Sequence, residues 1–182
     1  MAKSGMKVRY KQAESQEELE QILNLQQRNL ARNISPEERE REGFVTVEHD
    51  LEGLWAMNLI CGHIIALESE ALIGYALCMH PRFADHIEVL RPMFTELDGI
   101  VPKLSGHMIM GQVCVAKEHR GKGVFRMLYR TMMECLPEGF DSIITEVDGN
   151  NKKSLSAHTA IGFRTIKVYH AQGREWHIVQ WS

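Results

Sequence analysis

The chain has 182 residues, 44% of them hydrophobic, and a formal net charge of -3. That length suits one domain, 1–182, with its own core. A slightly acidic total is the reverse of what a nucleic-acid surface needs, so no nucleic-acid partner is expected.

In chain order, residues 7–13 read as a short strand. Leu19, Ile22, Leu23, Gln26 and Leu30 recur at helical spacing and predict a helix over 17–30. Ser35-Pro36-Glu37-Glu38 is a helix start, with a capping serine, proline in the first turn and a glutamate three residues on. Another short helix covers 50–57. HIIAL (63–67) and ALIGYALCM (71–79) are strand-like runs, and Glu68-Ser69-Glu70 between them is a tight hairpin turn. Residues 81–106 loosen the pattern with Pro92, Pro102 and Asp98-Gly99, around one further helix, DHIEVLRPMFTEL. This insertion is expected to be a mobile lid or pocket wall.

The second half is more regular. HMIMGQVCV (107–115) is a strand. Residues 124–136 form a helix with Phe125, Leu128, Met132 and Cys135 or Leu136 inward, ended by Pro137 and Gly139. DSIITEV (141–147) is a strand, and 152–161 a helix stopped by Gly162. FRTIKVYH and REWHIVQW close the chain as a hairpin around Gly173, and its edge strands could pair between chains in a homodimer. The order β-α-α-β-β-β-α-β-α-β-β gives an α/β fold of the mixed-sheet α+β kind, with helices on the sheet faces.

Cys61, Cys78, Cys114 and Cys135 each fall in an apolar run with no CxxC spacing, so all four are expected to be reduced core residues of an intracellular, cytoplasmic protein. MAKSGMKVRYKQ has no apolar core of a secretory signal. The longest apolar reach, 54–79, is broken by His63, Glu68 and Glu70, so no membrane span is expected. The nine histidines are scattered, with no pair at ligand spacing on one helix, and no metal site is expected.

One stretch stands out: KEHRGKGVFRML, which joins a strand to a helix N-terminus. The first amides of a helix lack internal partners and carry partial positive charge. Gly121 and Gly123 let them approach an anion, and Arg120 and Lys122 add full charges. The loop has neither GxxxxGK[ST] nor GxGxxG, and Arg126 stands where the latter needs glycine. On its own the loop is equally a solvated basic turn. About thirty residues on, NNKKSLSAHTAIGF places Asn151, Ser154 and His158 at helical spacing before Gly162-Phe163.

The two motifs together resemble the GNAT superfamily of acyl-CoA N-acyltransferases. Arg120, Gly121, Lys122 and Gly123 match its [QR]xxGx[GA] loop. Asn151, Ser154, Ala157, His158, Gly162 and Phe163 align with the positions of its NxxAxxLYxxxGF pattern. The resemblance is specific over 107–163. Phe125 departs from the usual glycine or alanine and could turn inward beneath the helix. His158 stands where the family often has tyrosine.

The resemblance implies an N-acetyltransferase in which a primary amine, small-molecule or peptide, attacks acetyl-CoA directly through a tetrahedral intermediate. The coenzyme would lie between strands ending at Val115 and Val147. Val113, Cys114 and Val115 would contact pantetheine, Arg120, Gly121, Lys122, Gly123, Val124 and Phe125 the diphosphate, and Asn151 and Ser154 the pantetheine arm. His158 is the candidate acid. Glu146 is a candidate base, with His80, His107 and Gln112 as neighbours, although a water chain could serve instead. Asn150 is expected to cap its helix, and Asn151 either caps or binds. Asp85, Glu88, Glu96 and Asp98 would attract an amine or form a solvated face; Trp55, Tyr75, Phe83 and Phe94 line a pocket or fill core. The alternative is a non-catalytic module that holds acyl-CoA and senses or scaffolds.

Overall fold

The computed structural model describes residues 7–85, 87–100 and 106–182. Within them the strands are β1 (Arg9–Gln12), β2 (Ile64–Glu68), β3 (Ala71–Met79), β4 (His107–Val115), β5 (Ser142–Asp148), β6 (Arg164–Ala171) and β7 (Arg174–Trp181). β2, β3 and β5 are buried on both faces, which is why they read as continuous apolar runs. The helices are α1 (Gln16–Asn29), α2 (Pro36–Glu42), α3 (Leu51–Asn58), α4 (Arg91–Asp98), α5 (Val124–Glu134) and α6 (Lys152–Ile161). Ser15 and Glu18 form a reciprocal capping box on α1, Ser35 accepts from the Glu38 amide on α2, and Asp50 caps α3. The order β-α-α-β-β-β-α-β-α-β-β leaves out two helices that the residue patterns at 50–57 and in DHIEVLRPMFTEL themselves predict. Three helices, not two, precede β2, and α4 stands between β3 and β4, following single 3-10 turns at Pro81–Phe83 and Glu88–Leu90.

The strands form one sheet in the order β1-β2-β3-β4-β5-β7-β6, and of the neighbouring pairs only β4 and β5 are parallel. One face is covered by α1, α3 and α4, through Leu19, Ile22, Leu54, Met57, Met93 and Leu97. The other is covered by α5, through Val124, Leu128, Tyr129 and Met132. Tyr129 is fully buried where the sequence reading emphasised Phe125, which is only half-buried. Truncating Leu19 or Ile22 would cost roughly 2–5 kcal/mol, the usual range for a large aliphatic side chain removed from a packed core. The β2–β3 turn works without glycine, since Ser69 (φ 50°) and Glu70 (φ 67°) both adopt the left-handed conformation of a two-residue hairpin turn.

The cysteine expectation is corrected for two residues. Cys61, just before β2, and Cys78, on β3, are joined as a disulfide with Cα atoms 5.8 Å apart. Antiparallel pairing of β2 with β3 brings together two residues 17 apart in sequence, a proximity that sequence spacing does not show. Cys114 and Cys135 are free. No helix among the described residues is long and apolar enough to cross a membrane.

Candidate active site

The site begins where the parallel pair fails. β4 and β5 pair only at His107↔Ser142, Met108↔Ile143 and Ile109↔Ile144. Beyond Ile109 the inner edge of β4 has no strand partner, so main-chain donors and acceptors face a cleft instead of a neighbour. A bulge sits at the same place. Ala76 and Cys78 of β3 pair with Val113 and Met110, so β4 carries one residue more than its partner. Gln112, in the bulge, is buried; its amide nitrogen donates to the Val47 carbonyl (2.6 Å) and its oxygen accepts from the Tyr75 hydroxyl (2.6 Å). With both ends engaged, Gln112 pins the segment 44–47 across the cleft mouth. From the other side, Asn151 donates to the Phe44 carbonyl (3.2 Å) while accepting from the Ser154 amide (3.2 Å). Asn151, rather than Asn150, therefore caps α6.

At one end of the cleft lies the glycine loop. Gly121 (φ 70°) and Gly123 (φ 85°) are left-handed, and a Cβ at either would meet nothing within 4 Å. Backbone conformation, not space, requires glycine there. α5 starts at Gly123 with no side-chain cap, unlike α1, α2, α3 and α6, so its first amides are presented outward. The cations of the loop divide into two groups. Arg120 turns into the fold, donating to the Val115 carbonyl (3.0 Å), Glu42 (3.2 Å) and Asn29 (2.6 Å). Lys117 pairs with Glu38 (3.1 Å) and His119 with Glu68 (3.1 Å). Lys122 and Arg126 are exposed and have no ion pair among the described residues.

Val113, Ser154 and His158 line the cleft together with Asn151 and Glu146. His158 is 1% exposed. Its Nδ1 is 2.7 Å from the Ser154 carbonyl, which can only accept, so Nδ1 carries the proton. Nε2 then accepts from the Tyr129 hydroxyl at 2.6 Å. Burial pulls the His158 pKa down to about 4, so the ring is uncharged at neutral pH. Phe125 turns inward, edge-on to both Tyr129 (5.1 Å) and His158 (5.0 Å). Cys114 does not line the cleft; it is buried opposite Tyr75, and burial pushes its thiol up to about 12.

Glu146, on β5, lines this cleft and also an adjoining cavity on the α4 side, making it the charged group where the two meet. Burial raises its pKa to about 7, and the Tyr169 hydroxyl donates to it. Tyr169 and Trp176 were not foreseen as site residues. Strand pairing places them opposite one another on β6 and β7, and an alternating hairpin pattern gives no sign that one face meets a cleft. The other candidate bases lie elsewhere. His107 starts β4 at the end paired to β5. His80 accepts from the Arg82 amide (3.1 Å) and packs edge-on to Phe140 (5.3 Å). Asp85, Glu88, Glu96 and Asp98 line neither cavity, and Glu96 pairs with Lys167 (3.3 Å). Among the described residues no group of three or more His, Cys, Asp or Glu is placed to hold a metal ion.

A mixed sheet that parts between two parallel strands, next to an uncapped glycine-led helix, defines a class of acyl-coenzyme A-binding folds. Residues 19–163 match the acetyltransferase (GNAT) family, and the chain belongs to that family, whose co-substrate is acetyl-CoA. Solved structures agree on the fold. Arabidopsis thaliana Naa50 in complex with the bisubstrate analogue CoA-Ac-MVNAL has TM-score 0.62 at 16% identity, covering 96% of this chain and 98% of that one. The NatC complex bound to Gag peptide and CoA gives 0.64 at 14% identity, with 96% and 98% covered. The ribosomal-protein-S18-alanine N-acetyltransferase from Escherichia coli gives 0.60 at 12% identity, with 96% and 92% covered. At these identities the likeness concerns the fold. No curated protein matches the sequence.

Proposed function

We propose that the chain is an N-acetyltransferase that moves the acetyl group of acetyl-CoA to a primary amine, with Glu146 as general base. The observation that carries this reading is the position of Glu146: one carboxyl, titrating at about 7, at the junction of the two cavities. Pantetheine would lie along the unpaired edge of β4 at Val113, above Asn151 and Ser154, and the acceptor would enter from the α4 side. The described stretch 87–100 of the insertion then acts as pocket wall, since Leu90 and Met93 line that side. At the diphosphate, the amides from Gly123 to Phe125 would be joined by Lys122 and Arg126. Arg120 acts through the loop, because its guanidinium is committed to Val115, Glu42 and Asn29.

An alkyl amine of pKa about 10 arrives mostly protonated and attacks only after losing a proton. The Glu146 carboxylate receives that proton. A carboxyl titrating near 7 is still about half ionised at neutral pH and is a stronger base than an ordinary glutamate. The amine then forms the new C–N bond, the C–S bond breaks, CoA leaves as a thiolate of pKa about 8.5, and the second proton lost by the nitrogen reaches that thiolate through water. No acid on the chain is required. His158 enters as a neutral, fixed wall of the thiol end, held by Tyr129 and Ser154.

The acceptor is a primary amine, and the peptides in the Naa50 and NatC structures make a peptide α-amine one form to test. Thiol release from acetyl-CoA over an amine panel, with product mass, tests the reading. Turnover that Glu146→Gln abolishes supports it. Acetyl-CoA binding without release by any amine would leave a coenzyme-holding module instead.

A further inference from the structure

The segment 44–49 crosses the cleft mouth outside helix and strand, bridging to Leu30 at Val45. Buried side-chain amides from three elements hold further main-chain groups of it. Asn151 of α6 holds the Phe44 carbonyl, Gln112 of β4 the Val47 carbonyl, and Gln26 of α1 both main-chain groups of His49 (3.0 and 3.1 Å). The Gln112 tie falls at the junction of the two cavities, since Thr46 and Val47 line both of them together with Glu146. We infer that Tyr75, which lines neither cavity, is a positioning residue: through Gln112 it holds this segment against the junction where Glu146 lies. This rests on the reading of Glu146 as the base and deepens it.

The direction of each bond follows from what its partner can do. The Val47 carbonyl can only accept, so the Gln112 NH2 group faces it at 2.6 Å. The Gln112 oxygen is thereby turned to the Tyr75 hydroxyl, also 2.6 Å away, which must donate. Tyr75 is fully buried and burial pushes its pKa up, so the phenol keeps that proton. Removing the hydroxyl leaves a buried acceptor on Gln112 without a donor, and the amide is freer to turn away from Val47. Two consequences reach the reaction. The amine is held less firmly beside Glu146, and water gains access to the carboxyl. Burial is the chief cause of the high Glu146 pKa, so admitting water moves it down. The other titratable groups around Glu146 keep their partners in such a variant. Tyr169 of β6 donates to it, Glu96 of α4 pairs with Lys167, Asp148 of β5 pairs with Arg174 of β7, and neutral His158 of α6 is held by Tyr129 and Ser154.

Tyr75→Phe, checked for folding by circular dichroism, removes one oxygen and leaves the ring. Hydrogen exchange read by mass spectrometry should become several-fold faster in the peptide spanning 44–49, where the Val45 and His49 amides are bonded, and stay unchanged in α5. Carboxyl NMR should show Glu146 titrating at lower pH than in wild type. With the fastest acceptor of the amine panel, kcat/KM for the amine should fall about tenfold, an ordinary consequence of one lost buried hydrogen bond, while the calorimetric affinity for acetyl-CoA changes little. Gln112→Met removes the amide at similar volume. In that background Tyr75→Phe should alter neither exchange, nor titration, nor rate, because its effect passes through Gln112. Unchanged exchange, an unmoved Glu146 titration or an undiminished kcat/KM in Tyr75→Phe overturns the inference, as does an equal effect in the Gln112→Met background. A wild-type chain that acetylates no amine overturns the transferase reading instead; exchange and titration need no substrate and still decide whether Tyr75 holds the segment.

Discussion

Replacing Glu146 with glutamine should make the protein more stable and far less active, and the two effects should share one pH window. A carboxyl held at about 7 instead of its ordinary 4.5 binds its proton more tightly in the folded chain than in the unfolded one. Between those values the native state carries the extra proton, so wild-type stability from this group falls as pH rises from about 4.5 and the loss is complete just above 7. The full displacement corresponds to about 3 kcal/mol. Glutamine has no charge to bury, and its side-chain oxygen can still accept from the Tyr169 hydroxyl that now bonds Glu146. The difference in unfolding free energy, variant minus wild type, should therefore be near zero at pH 4, grow through pH 6 and level off by pH 8. Urea melts across that range measure it. In parallel, wild-type kcat/KM should carry an ionisation near 7 that the variant lacks, and the variant should lose about 100- to 10,000-fold in rate. A variant no more stable than wild type at pH 8, or one that keeps its rate, would refute the assignment of Glu146 as a buried base.

Tyr169→Phe removes the hydrogen bond that favours the Glu146 carboxylate, so the rate limb should move to higher pH while the high-pH plateau stays within a few-fold. Lys122→Ala and Arg126→Ala should each weaken acetyl-CoA binding several-fold in calorimetry, less so in high salt, with melting temperature unchanged. Arg120→Ala should instead lower the melting temperature, since it leaves Glu42 and Asn29 without their partner, a loss on the order of 1–3 kcal/mol. His49, His63 and His158 are buried with pKa values pulled down to about 4, about 3 and about 4. Their native forms bind fewer protons than the unfolded chain below about 6.5, so stability should fall steeply as pH drops from 6.5 toward 4, outweighing the opposite trend from Glu146. Circular dichroism melts of Glu146→Gln at pH 4 to 7 isolate the histidine contribution.

The strands, the capped helices and the glycine loop were legible because each is local. Alternation, Ser-Pro-Glu-Glu and a strand running into Gly-Lys-Gly are written within a few residues. What was not legible depends on contacts between distant segments. Cys61 and Cys78 sit in ordinary apolar runs, and only the β2–β3 register brings them together. Tyr129 is set apart by a hydrogen bond to His158 on α6, 29 residues away. The family motif places a side chain at position 158, but tyrosine or histidine there does not reveal whether its proton faces the cleft. That depends on what Tyr129 and Ser154 do with the two ring nitrogens.

The loop cations show why spacing and role diverge. Motif spacing marks Arg120 as the charged residue of the loop, and charge alone suggests that it meets phosphate. Three hydrogen bonds to three different segments, α1, α2 and the end of β4, show it bracing the loop from behind. Lys117 and His119 do the same toward α2 and β2. With those cations engaged, the turn through Gly121 and Gly123 is held open in a left-handed conformation before any ligand arrives. The ordering cost that binding would otherwise carry is thereby met in folding. The charges left over, Lys122 and Arg126, flank the first amides of α5. An anion at this turn would thus meet a rigid main-chain cradle with two flexible cations at its rim, a division that follows from which basic residues have partners.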